Sequence, residues 1–211
     1  IPSGQSYKCT SFKVPGDFSS AAFVLAAAAM TEGNVTVNGL DFSMPHADRR
    51  IIDILIKLGV NVEVNEDDGS VKVIGCNDLL SGTFDLGDSP DLLPVVAALA
   101  SKANDKISIL GVEHARFKET DRISAVATEL KKAGLTVMET RDGLDLYPPK
   151  KLRPFVGHSH GDHRVFMALS LIGLVSESGC TISGAETASI SYPSFVDDLR
   201  SLRGKIEVSE K

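Results

Sequence analysis

The strongest constraint on this chain is that it repeats itself. Three segments open with Gly-Asp and run into an apolar stretch: Gly16-Asp17 before residues 21–30, Gly87-Asp88 before 92–100, and Gly161-Asp162 before 165–175. Self-similarity at a near-constant spacing, here about 70 residues, marks a repeated supersecondary unit. Each apolar stretch gives way to a short alternating run closed by glycine: Val35-Thr36-Val37-Asn38-Gly39, Ile107-Ser108-Ile109-Leu110-Gly111 and Thr181-Ile182-Ser183-Gly184. Alternation of this kind predicts a strand.

Each unit continues with a second helix. Residues 48–58, 121–133 and 194–202 carry apolar side chains at helical spacing, which puts them on one face. These helices end near Gly59, Gly134 and Gly204, the expected left-handed caps. Strands are predicted after the glycines, over residues 60–64, 135–139 and 205–208. In the first two units Asp68-Gly69 and Asp142-Gly143 predict hairpins leading to strands 70–74 and 144–147. Each unit therefore reads helix, strand, helix, strand, strand. The repeats cover approximately residues 13–80, 81–150 and 151–211 of one globule, 1–211. The third is one strand short, and either residues 7–14 or a segment outside the chain is expected to complete it.

Composition narrows the classes. The 211 residues are 43 % apolar and 24 % charged, ordinary for a globular chain with a sizeable core and unlike a disordered one. The longest apolar run, residues 21–30, is half of the roughly 20 residues needed to cross a membrane. A net charge of −6, from 22 basic and 28 acidic residues, disfavours wholesale nucleic-acid binding but leaves room for a local cationic site. Cys9, Cys76 and Cys180 suggest neither a disulfide framework nor a CxxC metal site. A reducing compartment is expected, and Ile1-Pro2-Ser3-Gly4 has no leader character, so the expected location is the cytoplasm. The first residue is not Met, and the chain is expected to be a processed product or part of something longer.

The helix starts carry the chemistry. Their free N–H groups and positive dipole ends attract anions, and three facing one way make an anion-attracting surface. Asp17, Ser19 and Ser20 are explained first as caps. Lys118-Glu119-Thr120-Asp121-Arg122 is different, because two cations at a helix start oppose the dipole and make sense around an anion. Arg164 follows Asp162 and His163 into an otherwise apolar helix, where an arginine is expected to pair with a carboxylate or phosphate. His158-Ser159-His160-Gly161-Asp162-His163 spells a metallohydrolase-like ligand pattern, but such a site needs histidines downstream and none follows His163. His46 and His114 are read as surface or substrate-contact residues. Lys13 has no assigned role beyond a solvated face, and Arg49, Arg50, Arg200 and Arg203 are read the same way.

Taken together, Pro15-Gly16-Asp17 with Ser19-Ser20-Ala21, Pro90-Asp91, Lys118-Glu119-Thr120-Asp121-Arg122-Ile123, Gly161-Asp162-His163-Arg164 with Met167-Ala168, and Ser191-Tyr192-Pro193-Ser194-Phe195 resemble the carboxy-terminal half of the 3-phosphoshikimate 1-carboxyvinyltransferase (EPSP synthase) family. The resemblance runs over essentially the whole chain. It implies an α/β fold, the inside-out α/β barrel, in which one globule holds three βαβαββ units. It implies a partner, the amino-terminal domain of the same enzyme, whose helix starts face the same cleft. The implied reaction moves the enolpyruvyl group of phosphoenolpyruvate to the 5-hydroxyl of shikimate 3-phosphate and releases phosphate, with no metal or organic cofactor.

By the same resemblance Glu119 matches the proton donor and Asp91 the residue at the hydroxyl, proposed as its base. Arg122 and Arg164 match the arginines that clamp phosphoenolpyruvate, and Lys118 a lysine near the shikimate phosphate. Asp162 and His163 flank the clamp in supporting roles. Two positions depart from the pattern. Ile190 stands where some members carry a phosphoenolpyruvate-binding lysine, and His114 where some carry an asparagine at the shikimate phosphate. Two other readings compete: a non-catalytic anion-binding relative, and a UDP-N-acetylglucosamine enolpyruvyl transferase, a sister family that lacks the paired Lys-Glu-Thr-Asp-Arg and Asp-His-Arg strings.

Overall fold

The computed structural model describes residues 2–6, 8 and 11–209. Its helices are α1 (Phe18–Met30), α2 (Ile51–Lys57), α3 (Leu93–Leu99), α4 (Arg122–Ala133), α5 (His163–Val175) and α6 (Phe195–Ser201). Its strands are β1 (Asn34–Val37), β2 (Asn61–Asn65), β3 (Ser70–Ile74), β4 (Gly82–Asp85), β5 (Ile107–Leu110), β6 (Thr136–Glu139), β7 (Leu144–Tyr147), β8 (Phe155–His158) and β9 (Cys180–Ser183).

The layers follow from which elements are apolar all round. α1, α3 and α5 have no polar face to speak of, so they are buried on every side and pack on one another at the centre. The strands lie outside them and alternate: β3 buries Val71 and Val73, and β7 buries Leu144 and Leu146. At one side Phe23, Phe166 and Tyr192 converge on the buried Phe195 with ring centroids 6.4, 6.3 and 5.5 Å away. Helices inside and sheets outside is the inside-out α/β arrangement.

Three sheets surround these helices. The first has the order β1-β3-β2, all antiparallel. The second has the order β4-β5-β7-β6, with β4 and β5 parallel and the rest antiparallel. In the third, β8 and β9 are parallel. The middle unit, β4-α3-β5-α4-β6-β7, is a complete βαβαββ repeat. Both Asp-Gly pairs close antiparallel hairpins, β2-β3 and β6-β7, as expected.

Several expectations are corrected. β4 and β8 open the second and third units with no strand signal of their own, because Gly-Thr-Phe-Asp and Phe-Val-Gly-His hold barely one cycle of alternation. The second central helix does not start at Gly87-Asp88. It begins with Pro90 in a 3-10 turn, Pro90–Leu92, and Ser89 instead donates its hydroxyl to Ala47 O at 2.9 Å. Residues 205–208 form no strand. Gly134 takes the left-handed cap at φ 103°, but at the end of α6 that conformation falls on Arg203, φ 71°. Gly204 is there for space: a Cβ would stand 2.8 Å from Leu199 O. Of residues 7–14, Tyr7, Cys9 and Thr10 lie outside the described residues. The described residues 11–14 are assigned to no strand, and Gly16 just beyond them bridges Leu40 in parallel. Among the described residues no helix is long and apolar enough to cross a membrane.

Candidate active site

The site forms where the starts of α4 and α5 meet the turn that leads into α3. The two helices are capped by aspartates three residues or fewer from their first free amides. Asp121 accepts from Ser124 N at 3.1 Å, and Asp162 Oδ1 accepts from Arg164 N at 2.8 Å and Val165 N at 3.3 Å. These caps fix the direction in which Arg122 and Arg164 leave the first turn of each helix.

Arg122 is the hub. Its side chain is 1 % exposed and donates to three carboxylates: Nε to Asp162 Oδ2 at 2.8 Å, Nη1 to Asp91 Oδ1 at 2.8 Å, and Nη2 to Glu119 Oε2 at 2.7 Å. A planar fork with donors on every side suits this arrangement where a lysine would not. Asp91 in turn faces three cations. Besides Arg122 it has Lys118 Nζ at 3.3 Å from Oδ1 and Arg164 Nη2 at 3.3 Å from Oδ2. Burial pushes the Asp91 carboxyl up, but Arg164, Arg122 and Lys118 together outweigh burial and hold it below its ordinary range.

Two buried nitrogens are left over. Arg164 Nη1 and His163 Nδ1 have no hydrogen-bond partner among the described residues. Burial and the neighbouring Arg164 depress the His163 pKa against the pull of Asp162 and Glu119, so the imidazole is neutral at pH 7. Its Nδ1 lies 3.6 Å from Glu119 Oε1, too far for a hydrogen bond. A buried guanidinium N–H without an acceptor is costly and leaves Arg164 with one donor uncommitted.

Seven of the eight residues expected at the site therefore come together: Asp91, Lys118, Glu119, Arg122, Asp162, His163 and Arg164. His114 does not join them. It is exposed on the 3-10 turn Glu113–Phe117, and among the described residues no hydrogen bond or ion pair ties it to the cluster. Ile190 is 64 % exposed and brings no charge. The His-x-His-x-Asp-His string is no ligand set: His158 Nδ1 accepts from His160 N at 2.7 Å and His160 Nε2 meets Glu129 Oε1 at 2.7 Å.

The sequence reading missed three residues around the cluster. Asp48 is buried, accepts the Ser19 hydroxyl, and senses the charges of Asp91 and Arg164. Arg116 clasps Asp121 Oδ2 and Glu139 Oε1, both at 2.9 Å, and so closes the base of the loop that carries Lys118 and Glu119. Glu129 is fully buried on α4. Its one visible signal was its place two turns after Arg122, on the same helix face.

Comparison with known proteins decides the family. The family model described as EPSP synthase (3-phosphoshikimate 1-carboxyvinyltransferase) matches residues 1–199. The chain belongs to the EPSP synthase family. The 3-phosphoshikimate 1-carboxyvinyltransferase of Methanococcoides burtonii is 43 % identical over 211 residues, all of this chain and 48 % of the relative. That of Methanocella arvoryzae is 44 % identical over 97 % of this chain and 48 % of the relative. The solved EPSP synthase of Acinetobacter baumannii superposes with a TM-score of 0.82 at 28 % identity, over 93 % of this chain and 48 % of that one. The enolpyruvyl transferase NikO of Streptomyces tendae shares the fold, with a TM-score of 0.71 at 19 % identity over 92 % of this chain and 44 % of that one. This EPSP synthase-family chain thus spans about half the length of the curated relatives it matches.

Proposed function

We propose that this chain supplies one half of the active site of an enzyme that transfers the enolpyruvyl group of phosphoenolpyruvate to the 5-hydroxyl of shikimate 3-phosphate, releasing phosphate. It corresponds to the carboxy-terminal half and works in the cytoplasm with an amino-terminal half of the same enzyme. The observation that carries the reading is the convergence of Lys118, Arg122 and Arg164 on Asp91, with a buried Arg164 N–H left unpaired.

Phosphoenolpyruvate carries a carboxylate and a phosphate, both suited to guanidinium forks. Arg164 offers its free N–H to one of them. Arg122 has five N–H donors, and three are committed to carboxylates. An incoming anion takes the remaining two or displaces Glu119, which is 38 % exposed and the carboxylate most free to move. Glu119, released from Arg122 and then protonated, gives that proton to the methylene carbon as the sugar oxygen bonds to the adjacent carbon. When the carbon–oxygen bond to phosphate breaks, the new methyl group returns one proton to the Glu119 carboxylate and the double bond reforms. Asp91, kept ionised by its three cations, accepts the hydroxyl proton of the attacking sugar. Both are ordinary general acid–base roles for carboxylates. Lys118 faces the shikimate phosphate. Asp162 holds Arg122 through its side chain and caps the turn that carries Arg164, and His163 lies between them in a supporting place.

The test is phosphate release from shikimate 3-phosphate plus phosphoenolpyruvate, by this chain alone and with a separately expressed amino-terminal half. The expected result is silence alone and turnover on mixing, because the site is assembled by closure of two halves. Silence in both, with the chain folded, would overturn the reading.

A further inference from the structure

Glu129 is a charged side chain with 0 % exposure that the chemistry above does not use. A buried carboxylate is costly unless every lone pair finds a donor. Here three donors reach it. His160 Nε2 lies 2.7 Å from Oε1, His158 N donates to Oε2 at 3.2 Å, and Lys132 Nζ spans both oxygens at 2.8 and 2.9 Å. Lys132 is a neighbour on α4 itself. The other two donors belong to the end of β8 and the turn that leads into α5.

That turn is held at its other end by the same helix. Arg122, two turns before Glu129, grips Asp162 Oδ2 through Nε at 2.8 Å. Residues seven apart on a helix share a face and stand about 10 Å apart, so α4 holds residues 158–162 at two points. Between them Gly161 N donates to Ser159 Oγ at 3.2 Å and Asp162 N to Ser159 O at 2.9 Å. His160 sits at φ 54°, a left-handed conformation uncommon outside glycine. An adverse backbone persists where the surroundings over-determine it, and the contact with Glu129 is what repays it here. The next residues are Asp162, His163 and Arg164.

We propose that Glu129, through His160 and the His158 amide, is a positioning residue that sets the place of Asp162 and Arg164 against Arg122, and that the first two histidines of the His-x-His-x-Asp-His string, His158 and His160, serve this purpose. The proposal rests on the reading of Arg164 as an anion clamp. Its immediate consequence, the geometry of the α5 cap, does not need that reading and is measured separately.

The experiment compares four variants with the unaltered chain. His160→Asn tolerates the left-handed backbone but is too short to reach Glu129, whereas His160→Gln keeps both reach and donor. Glu129→Gln leaves one of the two turn donors facing an N–H₂. Lys132→Met removes the outer cation and leaves the turn alone. Two readouts are taken: amide exchange of Arg164 and Val165 in the chain by itself, and KM for phosphoenolpyruvate against kcat in the enzyme reconstituted with an amino-terminal half. In His160→Asn and Glu129→Gln the two amides exchange roughly tenfold faster, and KM rises about tenfold with kcat changed by less than about threefold, as for a displaced ground-state contact. His160→Gln restores both readouts, and Lys132→Met moves neither. Unchanged exchange of both amides in His160→Asn overturns the proposal, as does an equal effect of Lys132→Met. If Glu129→Gln does not fold, His160→Asn, altered at a partly exposed side chain, decides alone. If the reconstituted unaltered enzyme releases no phosphate, the functional reading fails while amide exchange still decides the positioning role.

Discussion

Arg122 Nε donates to Asp162 Oδ2 across 2.8 Å, with both side chains shut off from water, while the other oxygen of the same carboxylate caps α5. One ion pair thus fixes the start of α5 relative to the start of α4. Removing one partner of such a pair leaves an uncompensated buried charge. Arg122→Met is expected to lower the unfolding free energy by about 3–5 kcal/mol. Asp162→Asn keeps an oxygen for the cap and is expected to cost less, about 1–3 kcal/mol. Urea unfolding of the chain measures both, and an Arg122→Met protein within about 1 kcal/mol of the parent would show that the pair does not hold the two helix starts together.

Glu119 separates stability from chemistry. It is the most exposed of the three carboxylates on Arg122, and glutamine still offers an oxygen to Nη2. Glu119→Gln is therefore expected to change stability by less than about 1 kcal/mol. In the reconstituted enzyme it is expected to lower kcat by roughly 10²–10⁴-fold, the usual reach of a general acid. Single-turnover phosphate release on the variant distinguishes the two effects. Turnover near that of the parent would remove Glu119 from the proton-donor role.

Much of this was legible because of where the sequence puts its strongest signals. α1 and α5 are apolar on every face, so burial at the centre was the one place for them. The seven converging site residues all stand at or beside helix starts, and a repeated unit brings its helix starts to one face. The rest failed for physical reasons. β4 and β8 are four residues long and owe their pairing to parallel neighbours far along the chain. The donors that reach Asp48 and Glu129 from Ser19, His158 and His160 stand 29 to 31 residues away in the chain, and no local spacing announces them. His114, expected beside a phosphate, points into solvent because the turn that carries it buries Ala115 instead.

Asp48 gives the pH prediction. Burial raises its carboxyl above the ordinary value of 3.8, with Asp91 adding to the rise and the Ser19 hydroxyl, Arg164 and His46 opposing it. A raised folded pKa means that ionisation favours the unfolded chain. The penalty is full above the folded pKa and vanishes as pH falls below the unfolded value. Asp48→Asn keeps an oxygen for Ser19 and removes that penalty. The variant is expected to be more stable than the parent at pH 7.5, with the gain shrinking toward pH 3. The difference between their urea midpoints across that range is the measurement. A gain that stays constant with pH would show that ionisation of Asp48 is not its source.

Arg164 gives the sharpest contrast between fold and function. Its Nη1 is buried without an acceptor, and its ion pair to Asp91 is the longer one at 3.3 Å, against 2.8 Å from Arg122. An orphaned buried donor costs about 1–3 kcal/mol, and a residue kept at that cost is expected to serve a ligand. Methionine fills similar length without polar atoms, and Asp91 retains Arg122 and Lys118 as partners. Arg164→Met is therefore expected to leave stability unchanged or to raise it by about 1 kcal/mol. Affinity for phosphoenolpyruvate, titrated calorimetrically with shikimate 3-phosphate present in a reconstituted enzyme slowed by Glu119→Gln, is expected to fall at least tenfold, about 1.4 kcal/mol or more. Arg164→Lys restores the charge but not the fork, and its affinity is expected to lie between the two. A marked loss of stability in Arg164→Met would make the Asp91 pair the reason for the arginine, and an unchanged affinity would take Arg164 out of the anion clamp.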